Sequence, residues 1–159
     1  MAKLHIQHLK PGDEQVLALI TDRWYSTDVV LRGEVVDMRL ANPVVATEDG
    51  KIKGLLTWRV LGDALEILSL DSFEEGRGIA SFLIEEAASI GRGKGCKKLL
   101  VLTTNDNLSA IALYQKRGFD LAHINHNAIE RSRELKPSIP LIAENGIAIQ
   151  HELEFERPL

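Results

Sequence analysis

Cysteine is nearly absent: Cys96 stands alone in 159 residues. An internal disulfide is therefore excluded, and so is a cysteine-rich metal centre. An excess of basic charge is missing as well. Nineteen Lys and Arg face 23 Asp and Glu, for a net charge of −4. General nucleic-acid binding needs a basic surface and is not expected, although a small basic cluster would still suffice for one phosphorylated ligand. The chain lacks any run of about 18 apolar residues, and Met1-Ala2-Lys3-Leu4-His5 has no apolar signal-peptide core. Membrane insertion is not expected, and a cytoplasmic location is. Internal repeats, low-complexity runs and linkers are missing too. One domain over residues 1–159 is expected, because this length with 45% hydrophobic residues supplies a sizeable core.

What the chain does contain is organised around Ala64–Leu83. Leu65, Ile67, Leu68 and Leu70 form an apolar run short enough for a buried strand. Asp71-Ser72-Phe73-Glu74-Glu75 and then Gly76-Arg77-Gly78 follow. Ile79, Phe82, Leu83, Ala87 and Ile90 recur at helical spacing. A strand, a glycine loop and a helix make a unit suited to an anion. The first amides of the helix have no internal partner, and the helix dipole adds roughly half a positive charge there. Glycines let a phosphate approach the backbone without meeting a Cβ.

Before this unit, Leu4 to His8 alternates as a strand, and Asp13 caps a helix that Trp24 and Tyr25 close. Ser26 to Asn42 has no clear period and reads as a loop with at most a short strand, a candidate wall for an acceptor pocket. Val44–Ala46 and Ile52–Val60 read as strands joined by a Glu48-Asp49-Gly50-Lys51 hairpin turn. Beyond the long helix, the glycines of Gly91–Gly95 end it, and Lys98 to Thr104 is a second buried strand. Two such strands with a helix between them predict a β-α-β unit with a parallel pair. Asn107 caps a helix over Leu108–Lys116, Phe119–Ile124 is a strand, Ala128–Lys136 a helix stopped by Pro137, and Ile147–Phe155 a final strand. The fold class is α+β with a mixed, mostly antiparallel sheet.

Two pieces of this chain resemble a known family. Glu75-Gly76-Arg77-Gly78-Ile79-Ala80 is similar to the Gln/Arg-x-x-Gly-x-Gly/Ala signature of the GNAT superfamily, the acyl-CoA-dependent N-acyltransferases. Asn107-x-x-Ala110-x-x-Leu113-Tyr114-x-x-x-Gly118-Phe119 looks like its second signature, and the intervening elements match. The resemblance covers roughly Pro43 to Phe155. Glu75 stands where the family usually has Gln or Arg, and Ser72 where it often has Pro. A carboxylate at position 75 opposes a diphosphate only if it points inward.

The resemblance implies a GNAT-like sheet whose central parallel pair, Leu65–Leu70 and Lys98–Thr104, is splayed apart, with helices on both faces. It implies acetyl-CoA as co-substrate, with no metal. Backbone groups of Leu68 and Leu70 would pair with the pantetheine arm. Glu75, Gly76, Arg77, Gly78, Ile79, Ala80 and Ser81 would surround the pyrophosphate, and Asn107 would hold the cofactor arm. Tyr114 would protonate the departing thiolate. The acceptor would be a small-molecule amine or an exposed amino group of a peptide.

Acyl transfer to an amine requires deprotonation of a group whose pKa lies near ~10.4, stabilisation of the carbonyl oxygen and a proton for the leaving thiolate. Direct attack needs no cysteine nucleophile, and Cys96 sits beside the glycine turn. Glu66, which by alternation shares a strand face with Leu68 and Leu70, is the candidate base, with His123 and His126 as rivals. A dinucleotide site is the competing reading of Gly76-x-Gly78, with Asp106 at the end of the next strand. Ser81 occupies its third glycine position, and antiparallel strands precede the unit. Gly91-Arg92-Gly93-Lys94-Gly95 resembles a phosphate loop, but Cys96 breaks the spacing. A non-catalytic acyl-CoA sensor is the alternative function, and a homodimer through the C-terminal strand is compatible with the sequence.

Overall fold

The computed structural model describes residues 3–159. In chain order the elements are β1 (His5–His8), α1 (Glu14–Trp24), β2 (Asp28–Leu31), β3 (Glu34–Asp37), a 3-10 turn (Met38–Leu40), β4 (Asn42–Glu48), β5 (Lys51–Leu61), β6 (Ala64–Ser72), α2 (Ile79–Gly93), β7 (Lys98–Thr104), α3 (Leu108–Lys116), β8 (Asp120–Asn125), α4 (Ala128–Leu135) and β9 (Glu152–Pro158). This is the expected α+β class. Ser26–Asn42 is more regular than expected. It holds the β2–β3 hairpin, turned at Arg32 and Gly33 with φ of 50° and 76°, a turn for which Arg is an unusual first residue. Among the described residues no helix is long and apolar enough to cross a membrane.

Two compact units make up the chain. The first runs to Thr27, resumes over Asp37–Leu99 and takes in Leu159; the second comprises Asp28–Val36 and Leu100–Pro158. In the first, the strands lie in the order β1-β4-β5-β6, each antiparallel to its neighbour. Asp13 caps α1 by accepting from the Val16 amide, and Tyr25 closes it in the left-handed conformation. Asp49 and Gly50, with φ of 52° and 76°, form the expected hairpin turn between β4 and β5.

Helix α2 buries Ile79, Leu83, Ile84, Ala87 and Ala88. It contacts β4, β5 and β6. It packs directly over Gly54 of β5, where an added Cβ would collide with the Ile79 side chain and lie 3.0 Å from Leu83 Cδ1. The glycine thus sets how near α2 lies to the sheet.

In the second unit β9 lies between β7 and β8. Strands β8 and β9 are antiparallel, with Ala122 passed over in the register. The expected final strand from Ile147 is corrected here, since β9 begins only at Glu152. The backbone of 147–151 is engaged elsewhere: the Gln150 and His151 amides both donate to Asn105 Oδ1, and the Ile149 amide donates to the Leu141 carbonyl. A side-chain amide has taken the place of a strand partner.

Replacing Gly54 by Val should destabilise the protein by about 1–3 kcal/mol through overpacking against Ile79 and Leu83. The readout is the urea midpoint at constant slope. An unchanged midpoint would show that α2 does not rest on this glycine.

Candidate active site

In the first unit, the end of β6 and the loop that follows hold most of the expected residues. Thr57 of β5 pairs with Ser69, but the next residue, Trp58, pairs with Ile67. Leu68 is passed over, which makes it the extra residue of a β-bulge. The bulge alters which residues share a face. Leu70 lies opposite Leu56, and Ile67 opposite Trp58, on the side where Gly54 receives α2. Glu66 and Ser69 lie opposite Arg59 and Thr57 on the other side, where the Thr57 and Ser69 hydroxyls are 2.6 Å apart. Asp71 projects to that second side, and Trp24 Nε1 of α1 donates to it at 2.9 Å. Simple alternation had placed Glu66 with Leu70. The bulge separates them, and Glu66 shares its face with Ser69 instead.

Glu66 is wholly buried. Its Oε1 accepts from both Nε and Nη2 of Arg59 at 2.8 Å. Those two bonds fix the carboxylate's orientation on the strand.

Gly76 and Gly78 have φ of 74° and 70°, in the region that glycine enters without strain. A Cβ at either would meet nothing within 4 Å. Residues 75–78 are exposed and Ile79 is buried, so the loop stands open up to the first residue of α2. Gly78 is the helix N-cap, makes no side-chain cap, and no acidic residue occupies the first turn. The amides of Ile79, Ala80 and Ser81 therefore begin the helix without a competing carboxylate.

Arg77 turns away from this opening. Its guanidinium pairs with Glu48, at the end of β4, and with Glu74 at 2.7 Å. Glu74 also accepts from Lys53 Nζ at 2.6 Å. The Arg77 hydrogen bond holds the Glu48 carboxyl below its ordinary range, Lys53 and then Arg77 do the same for Glu74, and Glu48 raises Arg77 further. The loop is thus tied to the β4–β5 hairpin by a solvated network.

The second unit holds Asn107 and Tyr114. Asn107 caps α3, its Oδ1 accepting from the Ala110 amide at 3.2 Å. That cap orients the side chain, and among the described residues the Nδ2 donor has no hydrogen-bond partner such as a backbone carbonyl. Tyr114 is buried, with its ring 5.5 Å from Phe119 and 5.6 Å from Phe155. His123 is exposed on β8, and His126 stacks on His151 at 4.5 Å. Cys96 is half-buried and forms no disulfide.

One feature went unread in the sequence. A cavity of about 670 Å³ is lined by Arg32, Arg131, Glu130, Glu134, Glu152 and Glu154, among others. Glu152 is buried and accepts from the Arg32 amide and from Asn125 Nδ2, while Arg32 Nε donates to Glu154 at 2.8 Å. These residues come from the β2–β3 hairpin, α4 and β9, segments with no local motif. Glu152 and Glu154, one residue apart on a strand, were the only pattern available.

A model of the Acetyltransferase (GNAT) family matches residues 14–119, and the chain belongs to that family. It is 36% identical over 152 residues to the uncharacterized protein YdhI of Bacillus subtilis, covering 92% of this chain and 95% of that one. The fold matches that of an IAA acetyltransferase from Bacillus cereus with a TM-score of 0.77 at 24% identity, over 99% of this chain and 100% of the other. A GNAT family acetyltransferase from Elizabethkingia anophelis, solved with acetyl-CoA bound, matches at 0.71 and 20% identity over 98% of each chain.

The Glu48–Arg77–Glu74 network carries a definite pH dependence. Both carboxyls are lowered from 4.5 in the folded chain, so the unfolded chain binds more protons as pH falls through that range. The network's stabilisation is present above about pH 4.5 and fades below it. In thermal melts, the difference between the wild type and Arg77→Met should shrink from pH 6 to pH 3. A constant difference would remove the ion pairs as its cause.

Proposed function

We propose that this acetyltransferase moves an acetyl group from acetyl-CoA to the nitrogen of a primary amine by direct attack, the whole chain working as one domain. The observation that carries the reading is the open loop at Gly76–Ser81, where unhindered glycines precede a helix start that holds no carboxylate. A diphosphate is the natural occupant of such a site. The acetyl-CoA bound by the Elizabethkingia structure supports the same assignment for a fold of this kind.

In this reading Gly76, Arg77, Gly78, Ile79, Ala80 and Ser81 receive the diphosphate through their backbone, and Glu75 points to solvent. The bulge leaves Leu68 out of the β5 register, so its backbone, with that of Leu70, meets the pantetheine arm. An N–H at this irregularity is also the donor we assign to the developing oxyanion. Asn107 donates its Nδ2 to the arm while its Oδ1 caps α3. Tyr114 gives its proton to the thiolate as the C–S bond breaks. Glu66 takes the amine proton through a water, its carboxylate held in place by Arg59. The acceptor is a protonated small amine or an exposed amino group of a peptide, and a cavity with four carboxylates to two guanidiniums suits such a charge.

The first test is incubation of the protein with acetyl-CoA and a panel of amines, following free thiol. Turnover with at least one amine is expected. Tight binding of acetyl-CoA with no turnover on any acceptor would favour a sensor. Tyr114→Phe should lower kcat by about 10²-fold or more with coenzyme A affinity within about twofold of wild type, and an unchanged rate would remove Tyr114 from the acid role.

The loop assignment has its own test. Gly78→Val forces a β-branched residue to a φ of 70°. It should weaken coenzyme A binding by about tenfold or more in a calorimetric titration, corresponding to about 1.4 kcal/mol. Unaltered affinity would contradict the cradle.

A further inference from the structure

The β7–α3 turn is joined to the segment before β9 by three of the four hydrogen bonds that one asparagine side chain can make. Asn105 Oδ1 accepts from the Gln150 and His151 amides, each at 2.9 Å, and its Nδ2 donates to the Ala148 carbonyl at 2.9 Å. The Asn105 amide adds a bond to the His151 carbonyl at 3.1 Å. Asn145 extends the seam, its Nδ2 donating to the Asp106 carbonyl at 2.9 Å while its Oδ1 accepts from the Ile147 amide.

Both ends of this seam reach residues that matter. Two residues after Asn105 stands Asn107. On the other side, His151 accepts from the Asn127 amide through Nδ1 and stacks on His126, and His126, Asn127 and Glu152 line the 670 Å³ cavity.

We propose that Asn105 is a positioning residue: it ties the turn that bears Asn107 to the segment that leads through His151 to Glu152 in the cavity wall, so that the cofactor arm and the acceptor are held in one frame. The inference rests on the reading that Asn107 holds the cofactor arm. Asn105 itself touches neither substrate. Its oxygen satisfies the Gln150 and His151 amides in place of a strand partner, and without it Asn107 keeps its cap but loses its anchorage.

Coenzyme A affinity, measured by calorimetry on the full chain, tests this. Asn105→Leu should weaken binding about tenfold. Asn105→Asp retains the acceptor for both amides but sets a carboxylate oxygen against the Ala148 carbonyl, so it should weaken binding less than Asn105→Leu. Combining Asn105→Leu with Asn107→Ala should bind within about twofold of Asn107→Ala alone, because both changes remove the same contact. A purely structural role for Asn105 would reduce the fraction of binding-competent protein without altering the affinity of the remainder, and that outcome would overturn the proposal. Affinities that multiply in the double variant would overturn it as well. Should Asn105→Leu not fold, Asn145→Ala, an exposed change in the same seam, should weaken binding several-fold, and wild-type affinity there would count against the proposal. A wild-type protein that binds no coenzyme A would defeat the acetyl-CoA reading itself, whereas binding lost in Asn107→Ala but kept in Asn105→Leu would defeat only this inference.

Discussion

The loop at the start of α2 depends on the contact between Gly54 and the first turn of that helix. Ile79 and Leu83 fill the space where a side chain on β5 would stand, so α2 lies close to the sheet with its first residue already buried. The change from an exposed Gly78 to a buried Ile79 takes a single residue. A helix end left near solvent in this way keeps its free amides available, and one packed deeper would have to satisfy them internally. Arg77 secures the same loop from the opposite direction by pairing with Glu48 and Glu74. One contact is apolar and packed, the other charged and solvated. Together they hold the loop at both ends while leaving its centre open.

Local chemistry made much of this legible in the sequence. Asp13, Asn107 and the Asp49-Gly50 pair each act on their own backbone or within a few residues, and each performs the role that its type predicts. Features that depend on a distant partner were not legible. The bulge at Leu68 is a mismatch between two strands, and β6 alone carries no sign of it, so strict alternation misplaced Glu66 relative to Leu70. The late start of β9 has the same origin. IAIQHELEF alternates well throughout, yet Asn105, more than forty residues earlier, claims the amides of Gln150 and His151. The cavity lined by Arg32 and Glu152 draws on segments 120 residues apart, and the Arg32-Gly33 turn lacks the Asn-Gly or Asp-Gly pair that marks such hairpins.

Three asparagines of the second unit share one use of their side-chain oxygen. The Oδ1 atoms of Asn105, Asn107 and Asn145 accept backbone amides that no regular element satisfies, and the Nδ2 atoms of Asn105 and Asn145 return the bond to a backbone carbonyl. Asn107 differs because its Nδ2 meets no carbonyl among the described residues. An amide with its acceptor committed to a helix cap cannot rotate to offer anything but its donor. The same cap that starts α3 therefore determines which group Asn107 presents to a ligand.

The distribution of charge differs between the loop and the cavity. A chain with a net charge of −4 opposes an anionic ligand unless its carboxylates are kept from the binding groups. In the first unit, Glu48 and Glu74 are each paired with a cation, Glu75 is exposed, and the first turn of α2 holds no acid. In the second, Glu130, Glu134, Glu152 and Glu154 gather around one cavity beside only Arg32 and Arg131. The reaction we propose joins a polyanionic donor to a cationic acceptor, and each needs surroundings of the opposite or neutral sign. Evenly spread carboxylates would favour the amine but oppose the diphosphate. Their pairing around the loop and clustering at the cavity meets both requirements without an overall positive charge.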